Sequence, residues 1–146
     1  MTFEATKFEA TEFKDRTEKV PVPDLKKFFK KGEKPLWEIK GLTAHELSIV
    51  NNAVDANKGK SELINAISEG TTKEKAEAVR KAMNIIKLSD NVPDDLVRRH
   101  MTLVMGSVNP KCTENLAVKL GLNFPTVLYL ISQKIYALTG MGRVGE

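Results

Sequence analysis

The sequence predicts a mainly α chain: six or seven short helices in a compact bundle, with a small two-stranded β element near the N-terminus. Three observations carry this. The first is a run of apolar stripes at helical spacing, of which Phe124, Leu128, Ile131, Ile135 and Leu138 form the longest. The second is a set of helix punctuation marks: capping boxes at Thr43–Glu46 and Thr71–Glu74, Pro125 inside a first turn, and Gly140 after a last turn. The third is that only two short stretches, around Phe13–Val22 and Leu36–Lys40, alternate as strands do.

Size and charge bound the rest. With 146 residues, 41% of them hydrophobic, the chain can build one core, and we expect one helical domain over residues 12–140. The net charge of +4 is spread evenly, so no block is basic enough to demand nucleic acid. A single cysteine, Cys112, excludes an internal disulfide framework and fits a reducing compartment. The longest uninterrupted apolar run, Val127 to Ile131, is too short to span a bilayer. A soluble, cytoplasmic protein with no membrane partner is expected.

Residues 1–11 repeat Phe-Glu-Ala-Thr at a spacing of five, with Phe13 as the next step. Five fits neither helix nor strand, so this stretch reads as a mobile tail, with an adhesive arm for another subunit as the alternative. An edge strand follows, stopped by Pro21 and Pro23. Residues 24–31 read as a short helix capped by Asp24, with Leu25, Phe28 and Phe29 on one face and lysines on the other. Residues 36–40 are a strand expected to pair with the earlier one.

Thr43 opens a helix with Leu47, Val50, Ala53 and Val54 inward, expected to end at residues 57–59. A short helix over residues 61–67 follows, stopped at Gly70. The second capping box then opens a helix to about Lys87. Pro93, Asp94 and Asp95 suit the next first turn, where acids meet the positive end of the helix dipole. That helix carries Leu96, Val97, Met101, Val104 and Met105 until Asn109-Pro110 breaks it. Thr113 caps a short helix with Leu116, Ala117 and Leu120 inward, stopped by Gly121. Asn123 is expected to cap the last helix, and residues 141–146 are a short tail.

Catalytic chemistry is not in evidence. His45, His100 and Cys112 are the chain's only imidazoles and thiol, and they are far apart in sequence, so no metal site is expected. No glycine-rich phosphate loop follows a strand. We therefore expect no catalytic residues, no cofactor and no enzyme activity. Ala117, Gly121 and Val127 have helix-turn-helix spacing, which keeps a small nucleic-acid-binding protein as the alternative. The base-reading positions would then be about Asn123, Phe124, Pro125, Leu128, Tyr129 and Ser132, and Phe, Leu and Tyr there are poor partners for base edges.

The positive signal is surplus apolar surface. Tyr129 and Tyr136 lie off the main stripe of the last helix, and Met101 and Met105 are one turn apart. With Phe28 and Phe29, these six are the candidate partner-binding residues, because aromatic and methionine side chains suit adaptable protein contacts.

Three blocks carry a resemblance: Val20-Pro21-Val22-Pro23-Asp24-Leu25 with Phe28-Phe29; residues 35–47, Pro-Leu-Trp-Glu-Ile-Lys-Gly-Leu-Thr-Ala-His-Glu-Leu; and Met105-Gly106-Ser107-Val108-Asn109-Pro110 through Asn123-Phe124-Pro125 to Leu138-Thr139-Gly140. In these the chain resembles the tail assembly chaperones of long-tailed bacteriophages and prophages. The resemblance implies a non-enzymatic protein of the host cytoplasm, absent from the mature virion. It implies binding and solubilising of the tape measure protein, recruitment of tail tube protein, and self-association. A structural tail component is a further alternative.

Overall fold

A computed structural model describes residues 2–69, 77, 92–140 and 143–144. In chain order these form α1 (Ala5–Ala10), β1 (Phe13–Lys14), β2 (Thr17–Pro21), a 3-10 helix (Pro23–Phe28), β3 (Leu36–Lys40), α2 (Ala44–Glu69), α3 (Asp94–Gly106), β4 (Ser107–Asn109), α4 (Glu114–Asn123), α5 (Pro125–Leu138) and β5 (Arg143–Val144). The chain is mainly α, as its sequence predicts. The expected second capping box, and all but residue 77 of the helix after it, lie outside the described residues.

The sheet differs from expectation. It has three strands in the order β2-β3-β4, all antiparallel. Strands β2 and β3 pair as foreseen, from Thr17 opposite Lys40 to Pro21 opposite Leu36. The third strand, β4, follows α3 directly and pairs through Ser107 with Ile39 and through Asn109 with Glu38. Separately, β1 pairs with β5, so part of the expected C-terminal tail is held against residues 13–14.

Helix α5 is the centre of the fold. Leu128, Ile131 and Ile135 are almost completely buried, and Val127 and Leu138 nearly so. Sheet residues Val20, Trp37 and Ile39 share one core with it, together with Leu103 of α3 and Ala117 and Leu120 of α4. Each large side chain buried here contributes about 1.5–3 kcal/mol over leaving it in water. Two glycines set how closely the elements approach. A Cβ on Gly106 would lie 2.7 Å from Ile135 Cδ1, and one on Gly41 would lie 2.5 Å from the Leu138 carbonyl oxygen. The second contact seats the end of α5 against the turn leaving β3. There the Leu42 amide donates to Thr139 Oγ1 at 3.1 Å.

Several boundaries move for physical reasons. The expected break at residues 57–59 is absent: α2 runs on to Glu69, and Asn57 is buried on its inner face. Asn57 Nδ2 donates to the Val92 carbonyl (2.6 Å) and to Asp94 Oδ1 (2.9 Å), tying α2 to the start of α3. Residues 23–28 form a 3-10 helix with Val22 rather than Asp24 at its N-cap. Gly121 does not stop α4, which continues to Asn123. Asn123 donates back to the Lys119 carbonyl at 2.9 Å, and Phe124 takes the N-cap position of α5. Residues 5–10, expected in a tail, are helical with no buried residue. The capping box at Thr43 is formed, with Glu46 N to Thr43 Oγ1 at 3.2 Å and Thr43 N to Glu46 Oε1 at 3.0 Å. Gly140 adopts positive φ, 82°, just after the end of α5.

Candidate partner-binding surfaces

The six candidate residues do not form one patch. On α3, residues Arg98, Met101 and Met105 follow one another at i, i+3 and i+7 and so share a face. Arg98 donates to Asn51 of α2 at 2.9 Å, which turns that face toward α2. Both methionines are partly buried and packed on the core. A second face, with Asp95, Arg99 and Thr102, meets α5.

There the two tyrosines find different surroundings. Tyr136 is half-buried, and the Thr102 hydroxyl lies between its hydroxyl (2.9 Å) and the Arg98 carbonyl (2.7 Å). Tyr129 is 45% exposed, with the Arg99 guanidinium 4.1 Å from its ring centroid. Arg99 is itself held by Asp95 Oδ2 at 3.0 Å and by Ser132 Oγ at 2.8 Å. A guanidinium held over a ring stiffens the aromatic, and Tyr129 still keeps almost half of its surface open. Beside Tyr129, Leu130 is 43% exposed. The outward side of α5 therefore presents Thr126, Tyr129, Leu130, Gln133, Lys134 and Ala137.

Phe28 and Phe29 belong to a different place. Phe28 is 68% exposed and meets Phe124 edge-on at 6.4 Å between centroids. Phe29 is partly buried against the core. Both line a groove of about 1240 Å³ between the 3-10 helix, β3 and α4. Leu36, Leu116, Leu120 and Phe124 supply more of its apolar lining. Lys19, Lys27, Lys30, Lys34 and Lys119 lie around it, against Glu33 and Glu38. This groove was not foreseen. Leu116 reads from its spacing as an inward residue, yet it is 38% exposed and faces the groove. The signal that could have found it is the shared lysine-and-phenylalanine character of residues 26–31.

The helix-turn-helix spacing is realised as packing. Ala117 and Val127 are buried, and a Cβ on Gly121 would lie 2.9 Å from Leu128 Cδ2. Of the positions where a reader of bases would sit, Leu128 and Ser132 are buried and none is a cation, and the outward side of α5 offers one cation, Lys134, and one side-chain amide, Gln133. Phosphate binding needs several cations.

The titratable groups of interest are structural in their contacts. His100 is held below its ordinary value by burial, with the Glu114 charge opposing. Burial pushes the Cys112 thiol up to about 11, against a smaller opposing effect of its hydrogen bond with Ser107. Burial raises Glu46, but Lys40, 2.7 Å away, and the Thr43 amide outweigh it and hold the carboxyl below its ordinary value. Among the described residues no group of His, Cys, Asp and Glu could hold a metal ion, and no helix is long and apolar enough to cross a membrane.

What the fold and surfaces define is a mainly α chain with a small sheet and two uncovered apolar regions. It matches no protein-family model, no curated protein and no solved structure.

Proposed function

We propose that this chain is a tail assembly chaperone of a long-tailed phage or prophage. It acts without catalysis in the host cytoplasm and is left out of the finished virion. It binds the tape measure protein, keeps it in solution, associates with further copies of itself, and helps recruit tail tube subunits. The observation that carries the reading is the outward side of α5. A helix whose inner face is the core of the fold also leaves Tyr129 and Leu130 open, 45% and 43% exposed, side by side. A long apolar helix kept from aggregating needs such a face to lie on, with an aromatic anchor whose orientation is already set. The resemblance in residues 20–29, 35–47 and 105–140 supports the same reading.

Tyr136 serves this surface from beneath, joining α5 to α3 through Thr102, while Met101 and Met105 lie on the side of α3 that faces α2. Tyr129 and Leu130 are the contact residues. The test is co-expression with a long helical tape measure protein, scoring how much of it stays in the supernatant. The parent chain keeps it soluble, and Tyr129→Ser with Leu130→Ser does not, while the variant keeps its own fold. Equal solubility with and without this chain overturns the reading. Finding the chain in purified particles would favour a structural tail component instead.

A further inference from the structure

Residues 3–13 carry three phenylalanines that the fold does not use. Phe3, Phe8 and Phe13 are 72%, 52% and 48% exposed. Their rings stand in a ladder, 5.4 Å between the first two centroids and 5.2 Å between the next. Helix α1 between them buries nothing. The same stretch holds three glutamates, Glu4, Glu9 and Glu12, against one lysine, Lys7. It is an acidic strip with an aromatic edge.

The groove beside Phe28 has the complementary character. Its lining is apolar, with Phe28, Leu116 and Phe124 reaching the opening, and five lysines surround it against two glutamates. Among the described residues none of those lysines belongs to an ion pair. An aromatic strip of net negative charge fits an apolar groove with a net positive rim. The rings supply the buried area, and the charges steer and orient the approach.

Within one molecule the strip is tethered at its C-terminal end. The strip joins the sheet at Thr17, opposite Lys40. The groove runs from Phe28 and Leu36 to Lys19 and Glu38, so its near end lies two strand residues, about 7 Å, from that junction. Residues 13–14 are also paired with Val144 and Arg143. Folding all of residues 3–13 into its own groove would require Phe13 to give up that pairing, which docking on a second copy does not.

We propose that residues 3–13 of one copy dock in the lysine-rimmed groove of a second copy. The contact is heterologous, since strip and groove are different surfaces of the same chain. Each copy then keeps a free strip or a free groove, so association continues head to tail into a ring or an open filament. The proposal rests on the self-association in the reading above and gives it named surfaces, leaving Tyr129 and Leu130 free for the tape measure.

The test is sedimentation of the full chain over a concentration series. The parent should form dimers and larger species that weaken as salt is raised. A strip variant, Phe3→Ser with Phe8→Ser, and a groove variant, Lys30→Glu with Lys119→Glu, should each associate at least tenfold more weakly. All four positions are exposed, and circular dichroism checks that both variants fold. An equimolar mixture of the two variants should give a one-to-one dimer and nothing larger, because only one strip and one groove remain competent. A strip variant that associates as the parent does overturns the docking and leaves self-association standing. A mixture that stays monomeric also overturns the docking. A parent that is monomeric throughout overturns both, while the tape measure solubility test remains a separate question.

Discussion

Replacing Gly41 by alanine isolates how closely α5 is seated on the sheet. The φ of Gly41 lies outside the left-handed region, so alanine meets no backbone strain there. Its Cβ would meet only backbone: the Leu138 oxygen at 2.5 Å, the Leu138 carbonyl carbon at 2.8 Å and the Thr139 nitrogen at 3.0 Å. Contacts below 3.0 Å essentially never occur for a Cβ, so the end of α5 and the turn at Gly41 must draw apart by about 0.5 Å. No rotamer change can relieve this, because no side chain is involved. Overpacking of this kind costs about 1–3 kcal/mol. Losing a glycine from the unfolded chain returns about 0.4–1 kcal/mol. The net is a destabilisation of about 1–2 kcal/mol, and the hydrogen bond from Leu42 to Thr139 should weaken with it. In urea, with a slope of about 2 kcal/mol per molar, the midpoint should fall by roughly 0.5–1 M with the slope unchanged. Gly106→Ala is the informative partner. Its obstruction is the Ile135 side chain, so an Ile135→Ala background, which removes the atoms at 2.7, 2.8 and 3.0 Å, should lower its cost. A Gly41→Ala protein as stable as the parent would refute the close seating of α5.

Three further outcomes follow from the buried polar and titratable groups. Ser107→Ala removes the acceptor 2.9 Å from the Trp37 indole nitrogen and should cost about 1–3 kcal/mol in chemical denaturation, because a buried donor is left unpaired. His100 binds its proton less readily folded than unfolded, so the unfolded chain takes up the proton first as pH falls below about 6.5. Stability should therefore decline below that pH, and His100→Gln should flatten this part of the profile. Cys112, with its thiol raised to about 11, should react slowly with a thiol reagent at neutral pH in the folded protein and rapidly in denaturant.

The last helix was legible because its stripe is long and its stop is a glycine: Leu128, Ile131, Ile135 and Leu138 are all core. Boundaries were harder where two weak local signals compete. Gly59 costs a helix only about 1 kcal/mol, less than a second start would, so α2 passes through it to Glu69. Strand β4 has three residues, too few to show a period, and is defined by pairing with β3 some seventy positions earlier. The candidate residues share this limit. Spacing separates Tyr129 from the core stripe but not from Tyr136, because only the fold places Thr102 beside one hydroxyl and Arg99 over the other ring. The groove joins residues 19–38 to residues 109–124, and neither stretch announces it alone.

The most direct measurement is the soluble fraction of the tape measure protein co-expressed with this chain and with its Tyr129→Ser, Leu130→Ser variant. The account predicts a soluble complex with the parent chain and an insoluble tape measure with a variant that still folds. A tape measure protein equally soluble with the parent chain, with the variant and alone would contradict it.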